Sequence, residues 1–489
     1  MDPIEIEPSD LDPLDWNEFR LLARRALDDM IDHLETLRER PVWRPPTEEA
    51  RMRFREALPR SGRPLAESVD LFDRFIKPYS TGNGHPAFMG WVHGAGTPVG
   101  MLAEMLAGGL NANCGGRDHL ALEVERQITH WMSEAFGLPN EAAGLFVTGT
   151  SIANLLGLLV ARNHRLGDGV RERGLVGGPR LIAYASASAH GCISQAMEIA
   201  GLGSDGLRLI PCDGRGAMLV DALRTRLEAD RGLGLTPFLV VGTAGTVDIG
   251  AIDPLAELAD CCANNDLWFH IDGAFGALLA FSPKLRPLIR GLERADSVAF
   301  DFHKWAHVPY DAGFLLVRDG SALRRTFASE RGYLSRASTG LAKGETWPCD
   351  LGPDLSRGFR ALKTWFTLRT FGLDRLGRSI ERNCEMAARL AAHIRQCADF
   401  TLCAPVSLNI VCFSANSRDR DTVNRAIVEC LHVSGRAAPS ITLIDGVAAI
   451  RCAIVNHRTT ASDIDNFFAD ACAAAREVVA GSRPAGPAR

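Results

Sequence analysis

Between about residue 140 and residue 320 the chain repeats one pattern: a short apolar run, a tight turn of small residues, then a helical stretch. GLFVTGTSIANLLGLLVAR and RLIAYASASAHGCISQAMEIAGL both read strand, turn, helix. TPFLVVGTAGTVDIGAIDPLAELADCCANNDLWFHIDGAFGA reads strand, loop, helix, strand, and SVAFDFHKW and AGFLLVRD follow as further apolar runs. A strand with one wet face alternates apolar and polar residues, whereas a continuously apolar strand is covered on both faces. The pattern therefore predicts an α/β fold, with a mainly parallel sheet sandwiched between helices.

The flanks differ. WNEFRLLARRALDDMIDHLETLRER (16–40) has helical apolar spacing and is stopped by PVWRPP. Such an arm packs on a partner subunit or on its own chain. TPVGMLAEMLAGGLNAN and LALEVERQITHWMSEAFGLP predict two more helices, the second ended by Gly137 and Pro139. After SRGFRALKTWFTLRTFGLDRL, a long helix, FTLCAPVSLNIVCFSA and AAIRCAIVNH fit a small α+β lobe. The predicted division is an N-terminal helical arm and dimerisation segment (1–85), a large α/β domain (86–378), a small α+β domain (379–480) and a disordered tail (481–489).

Composition excludes several roles. A formal net charge of −5 favours neither nucleic acid nor a membrane surface as partner. Thirteen cysteines with no C-x-x-C spacing predict reduced thiols in a cytoplasmic protein, with neither a disulfide framework nor a zinc site. The acidic N-terminus does not read as a signal peptide, and no apolar stretch is long enough to span a bilayer.

Ligands of open parallel sheets sit beyond the carboxyl ends of the strands. Four predicted strand ends carry polar or reactive residues: Thr148–Ser151, His190, Asp272 and the pair His303–Lys304. TGTSIANLL places hydroxyls and Gly149 at a helix start, which suits a phosphate or, more simply, an N-cap by Thr150 or Ser151. Asp272 ends an apolar strand, so it needs a cationic partner or hydrogen bonds; a protonated ring nitrogen would serve, as would an arginine. Lys304 reads as a loop lysine or as an amine whose pKa burial lowers, freeing it to attack a carbonyl. His190 reads as a core histidine or as a ring that stacks on a flat cofactor. Together, phosphate cradle, aspartate, histidine and lysine match the needs of pyridoxal phosphate, whose aldehyde a lysine holds and whose ring nitrogen an aspartate keeps protonated.

The chain resembles the group II pyridoxal-phosphate-dependent amino-acid decarboxylases, the family of the aromatic-L-amino-acid and glutamate decarboxylases. HPAFMGWV, LEVERQITHWMSEAFGLP, AHGCISQAMEIAGLG, TAGTVDIGAIDPL, HIDGAFGA, DFHKW and FRALKTWFTLRTFG carry the likeness. It extends from about Phe19 to Thr460. It implies fold type I, with a seven-stranded mainly parallel sheet, a small C-terminal domain, and a homodimer with active sites at the interface. By the same resemblance, Lys304 forms the Schiff base, Asp272 pairs with the ring nitrogen and His190 stacks over the ring. Thr150 and Ser151 hold the phosphate, Asp301 and His303 lie beside the cofactor, and Thr243, Thr246 and Ala274 complete its pocket. ASERGYLSRASTG resembles the family's mobile loop, with Tyr333 at the place of the tyrosine that supports proton transfer to the carbanion.

The implied reaction releases CO2 and an amine from an L-amino acid, an aromatic one slightly favoured. Alternatives are an oxygen-consuming aldehyde synthase, which in this family tends to carry phenylalanine at the Tyr333 position, and a decarboxylase of a polar or acidic amino acid. Relatives usually read TAGTT where this chain reads TAGTV, so Val247 removes a hydroxyl near the cofactor. Trp91, His93, Asn113 and Arg360 are the candidate substrate contacts. With Met89, His93, Asn113 and Cys114 nearby, the pocket reads as more polar than that of an aromatic specialist. A fold-type-I aminotransferase fits DFHKW and Tyr333 less well, and the acidic N-terminus shows no winged helix of a transcription regulator.

Overall fold

The computed structural model describes residues 11–329, 335–344 and 346–481. Seven strands form the central sheet: β1 (Ala143–Val147), β2 (Leu181–Ser186), β3 (Leu207–Ile210), β4 (Thr236–Thr243), β5 (Trp268–Asp272), β6 (Ser297–Asp301) and β7 (Gly313–Val317). Their order is β1-β7-β6-β5-β4-β2-β3. Only β7 runs against its neighbours. The apolar strands are covered on both faces as predicted. Val298 and Phe300 point into one core and Ala299 into the other. Under β6 the rings of Phe136, Phe300, Phe302, Phe146 and Phe314 interlock at centroid separations of 4.8–5.7 Å. Each such fully buried ring contributes on the order of 1.5–3 kcal/mol.

The carboxyl ends of β4, β5 and β6 deliver Thr243, Asp272 and Asp301 to one edge of the sheet. Gly313, opening β7, lies there too, paired with Asp301 and Val147. It is glycine for a steric reason: a Cβ on it would lie 2.4 Å from Gly149 Cα. The turn after β1 can therefore fold down onto the sheet edge.

A second sheet, order β10-β11-β9-β8, is antiparallel throughout. Its strands are β8 (Phe400–Leu402), β9 (Ile410–Ala415), β10 (Ser440–Ile444) and β11 (Val447–Ala453). The long helix Arg360–Gln396 leads into it and is broken at Gly372, where φ is 67°. The arm is a helix from Trp16 to Glu35, shorter than the predicted 16–40, because a 3-10 turn follows over Leu37–Glu39. The last helix, Ala461–Gly481, includes residue 481; the rest of the expected tail lies outside the described residues. All thirteen cysteines are unpaired. Among the described residues, no helix is long and apolar enough to cross a membrane.

Candidate active site

The strand ends converge on a cavity of about 380 Å³. Thr148, Gly149, Thr150 and Ser151 line it from the β1 turn, His190 from the turn after β2, and Thr243, Asp272, Ala274, Asp301, His303 and Lys304 from the next three strand ends. Trp91, His93 and Tyr310 close it from outside the sheet.

Lys304 and Asp301 form its ion pair, with Nζ 2.9 Å from Oδ2. The other carboxylate oxygen, Oδ1, accepts from the Thr150 backbone N–H at 2.8 Å. Asp301 therefore caps the helix Thr150–Leu166 from β6, two strands away from β1 in the sheet, a role local sequence assigns to Thr150 or Ser151. Burial alone would lower the Lys304 pKa, but Asp301 outweighs it, with Asp272 adding, so the amine is held above its ordinary value. This corrects the expectation of an amine freed by desolvation: the ammonium is stabilised until its proton is taken. His303 Nδ1 accepts from the Ala312 N–H at 3.0 Å, which leaves Nε2 facing Asp301 at 3.6 Å. Burial, partly opposed by Asp301, holds this imidazole below its ordinary pKa.

Asp272 is 4% exposed and has no ionic partner among the described residues. Its Oδ2 accepts from Asn154 Nδ2 at 3.0 Å and its Oδ1 from the Ala274 N–H at 3.2 Å. Burial pushes its pKa up, against Lys304, the Ala274 N–H and Asn154. A buried carboxylate in this state calls for a cation. The hydroxyls of Thr150 and Thr243 are buried without hydrogen-bond partners. A phosphate-bearing ring with a protonated nitrogen at Asp272, a carbonyl at Lys304 and oxygens at the two threonines would satisfy all four groups. The residues present fit pyridoxal phosphate.

Other expected residues are placed differently. His190 is exposed and lines the cavity, its Nδ1 accepting from the Cys192 N–H at 3.2 Å. Thr246 is buried but does not line the cavity: its Oγ1 accepts from the Ala251 N–H at 3.0 Å and closes the loop after β4. Asn113 is a brace, its Oδ1 accepting from the Gly115 and Arg357 N–H groups at 3.0 Å each. Arg360 is ion-paired to Asp311 at 2.7 Å and lines a neighbouring cavity of about 580 Å³. Tyr333 lies outside the described residues.

Met89 is fully buried among the residues packed around β9 and β11, and neither Asn113 nor Cys114 lines the cavity of its own chain, whereas His93 does. His93 packs against both Phe88 and Trp91, with centroids 5.8 and 5.7 Å away and interplanar angles of 11° and 22°, and those two rings are themselves 6.2 Å apart. Tyr310 stands edge-on to His93 at 6.1 Å and tilted over His303 at 4.3 Å. Sequence reasoning missed Tyr310, Asn154 and Arg451. Arg451, 3% exposed on β11, donates to the carbonyls of Trp91 at 3.1 Å, Asp248 at 3.2 Å and Val247. It ties the small lobe to both segments that frame the mouth.

A lysine opposite an unpaired aspartate at the carboxyl edge of such a sheet marks the pyridoxal-phosphate enzymes. Residues 47–416 match the pyridoxal-dependent decarboxylase conserved domain, well over half of the chain. The chain belongs to that family and is a pyridoxal-phosphate-dependent amino-acid decarboxylase. It is 31% identical over 479 residues to an aromatic-L-amino-acid decarboxylase of Bacillus atrophaeus, covering 95% of this chain and 97% of that one. It is also 31% identical to a histidine decarboxylase of Drosophila melanogaster, over 92% of this chain and 54% of that protein. Its fold is that of the Oryza sativa TDC solved with PLP and tryptamine, with a TM-score of 0.87 at 24% identity over 96% of this chain and 99% of that one.

Proposed function

We propose that the chain converts an aromatic L-amino acid to its amine and CO2. The observation that carries this reading is the aromatic cluster of Phe88, His93 and Trp91, with Tyr310 edge-on to His93, of which Trp91, His93 and Tyr310 line the cavity that holds Lys304. Flat rings offer a substrate ring stacking and edge contacts that an aliphatic or acidic side chain does not use.

Bound pyridoxal phosphate supplies an electron sink for the bond to the departing carboxylate. Lys304 would hold its aldehyde, with Asp301 Oδ2, 2.9 Å away, fixing the position of Nζ. Asp272 would keep the ring nitrogen protonated, and His190 would cover the ring face. Thr150, Ser151 and the start of their helix hold the phosphate, while Thr243, Ala274 and His303 flank the ring. Tyr333 returns a proton to the carbon that loses CO2. Exposed apolar residues Leu102, Met105, Leu106 and Leu110 on one helix, with Trp16, Phe19 and Leu21 on the arm, support a homodimer. The separate core around β8–β11 and the kink at Gly372 support the division into large and small domains.

The experiment is to incubate purified protein with each of the twenty amino acids and follow amine, CO2, peroxide and ammonia. Amine and CO2 from phenylalanine, tyrosine or tryptophan are expected. Turnover confined to aspartate or glutamate overturns the aromatic reading. Stoichiometric peroxide and ammonia would make the chain an aldehyde synthase; Tyr333→Phe is expected to divert flux that way.

A further inference from the structure

Behind Asp272 four polar side chains run in single file into the core. Trp268 Nε1 donates to Ser297 Oγ at 2.8 Å, and Ser297 Oγ lies 2.7 Å from His270 Nδ1. His270 Nε2 lies 2.8 Å from Asn154 Oδ1, and Asn154 Nδ2 donates to Asp272 Oδ2 at 3.0 Å. Asn154, His270 and Ser297 are each no more than 1% exposed. The helix gives way to the imidazole: a Cβ on Gly157 would lie 2.8 Å from His270 Cε1.

The direction of the file is fixed at both ends. An indole N–H only donates, so Ser297 accepts there and has one proton left to give, to His270 Nδ1. That puts the ring proton on Nε2, which donates to the Asn154 carbonyl. The amide nitrogen of Asn154 then faces the carboxylate, which as an anion only accepts. Reversal would set the Asn154 oxygen against an Asp272 oxygen and strand the Ser297 proton. Burial pulls the His270 pKa down to about 3, so its ring stays neutral.

We propose that His270 is a positioning residue for the reaction: through Asn154 it holds the Asp272 carboxylate anionic and in one orientation, without adding a charge. An arginine or lysine in that place would neutralise Asp272 and compete with the cofactor's ring nitrogen. A neutral donor file orients the anion and leaves its charge to be met by the cofactor. This rests on the reading of Asp272 as the partner of that nitrogen.

The test uses holoenzyme loaded with pyridoxal phosphate labelled with 15N in the ring, whose shift by solid-state NMR reports ring protonation. Asp272→Asn is the reference and is expected to move the shift fully toward the neutral ring. His270→Phe, which keeps a flat ring but no donor, is expected to move it part of the way and to lower kcat on the order of tenfold with KM little changed. His270→Gln, which restores a donor, is expected to recover most of the shift. If His270→Phe keeps the unsubstituted shift while Asp272→Asn loses it, the proposal is overturned and His270 is packing alone. If Asp272→Asn also leaves the shift unchanged, the Asp272 reading beneath it fails instead. Should His270→Phe not fold, 15N-histidine spectra of the unsubstituted holoenzyme decide, with the signal identified by its contact with Asn154. A neutral Nε2–H ring from pH 6 to 9 is expected; an imidazolium or an Nδ1–H ring overturns the proposal.

Discussion

The floor and the mouth of the cavity are built on opposite plans. On the floor, Asp272 and Asp301 are 4% and 2% exposed, each at the end of a sheet strand and each held by directed hydrogen bonds. At the mouth, Trp91 is 53% and Tyr310 49% exposed, and rings touch rings with little to fix their side chains. The floor can impose one charge pattern because low dielectric and rigid strands make any other arrangement costly. On the proposed reading, the first region holds the cofactor and the second meets the substrate side chain, where single substitutions are expected to cost little stability.

The sharpest break is Lys304→Ala. It is expected to abolish both the visible absorption of bound cofactor and all turnover, read by spectrum and by borohydride trapping. Asp272→Ala is expected to lower kcat on the order of 100- to 1000-fold and to weaken cofactor retention on dialysis; an undiminished rate would remove the electron-sink role.

Acid is expected to attack the interior next. His270 and His307 are fully buried, and burial pulls both pKa values from the ordinary 6.5 to about 3. The unfolded chain takes up these protons below 6.5 and the folded chain does not. Their contribution is thus complete above that pH and declines as pH falls toward 3, by about 1.4 kcal/mol per unit for each ring. Urea unfolding at pH 7.5 and 5 is expected to differ by about 2 kcal/mol per histidine; equal stabilities would contradict neutral buried rings. Smallest is Trp91→Ala, expected to raise KM roughly tenfold or less with kcat and cofactor absorption unchanged, because one ring contact is worth about 0.5–1.5 kcal/mol. A matching fall in kcat would mean that mouth and floor are not separable.

The same contrast explains what the amino-acid order revealed. Lys304, Asp272 and His190 were legible because each follows directly on an apolar strand, and the strand run itself announces the sheet. The charge state of Lys304 was not, since it depends on Asp301 accepting both from Nζ and from a backbone N–H 151 residues away in the chain. Thr246 sits in a matching motif, yet its Oγ1 is engaged by the turn after β4, and Asn113 Oδ1 accepts from the nearby Gly115 N–H and the sequence-distant Arg357 N–H. Tyr310 carries no periodic signal: it lies in the loop before β7 and meets His93 only in three dimensions. Asn154 stands on a helix and His270 inside an apolar strand, and neither position carries a motif of its own. The file they form joins two strands and a helix, and no local pattern reports it.

Arg451 gives the small lobe a hold on the entrance. Because one guanidinium grips the main chain at Trp91, Val247 and Asp248, any tilt of β11 shifts both jaws together. On the proposed reading, gentle warming or dilute urea that loosens the C-terminal lobe is expected to blur discrimination among amino acids before the cofactor's absorption at Lys304 is lost.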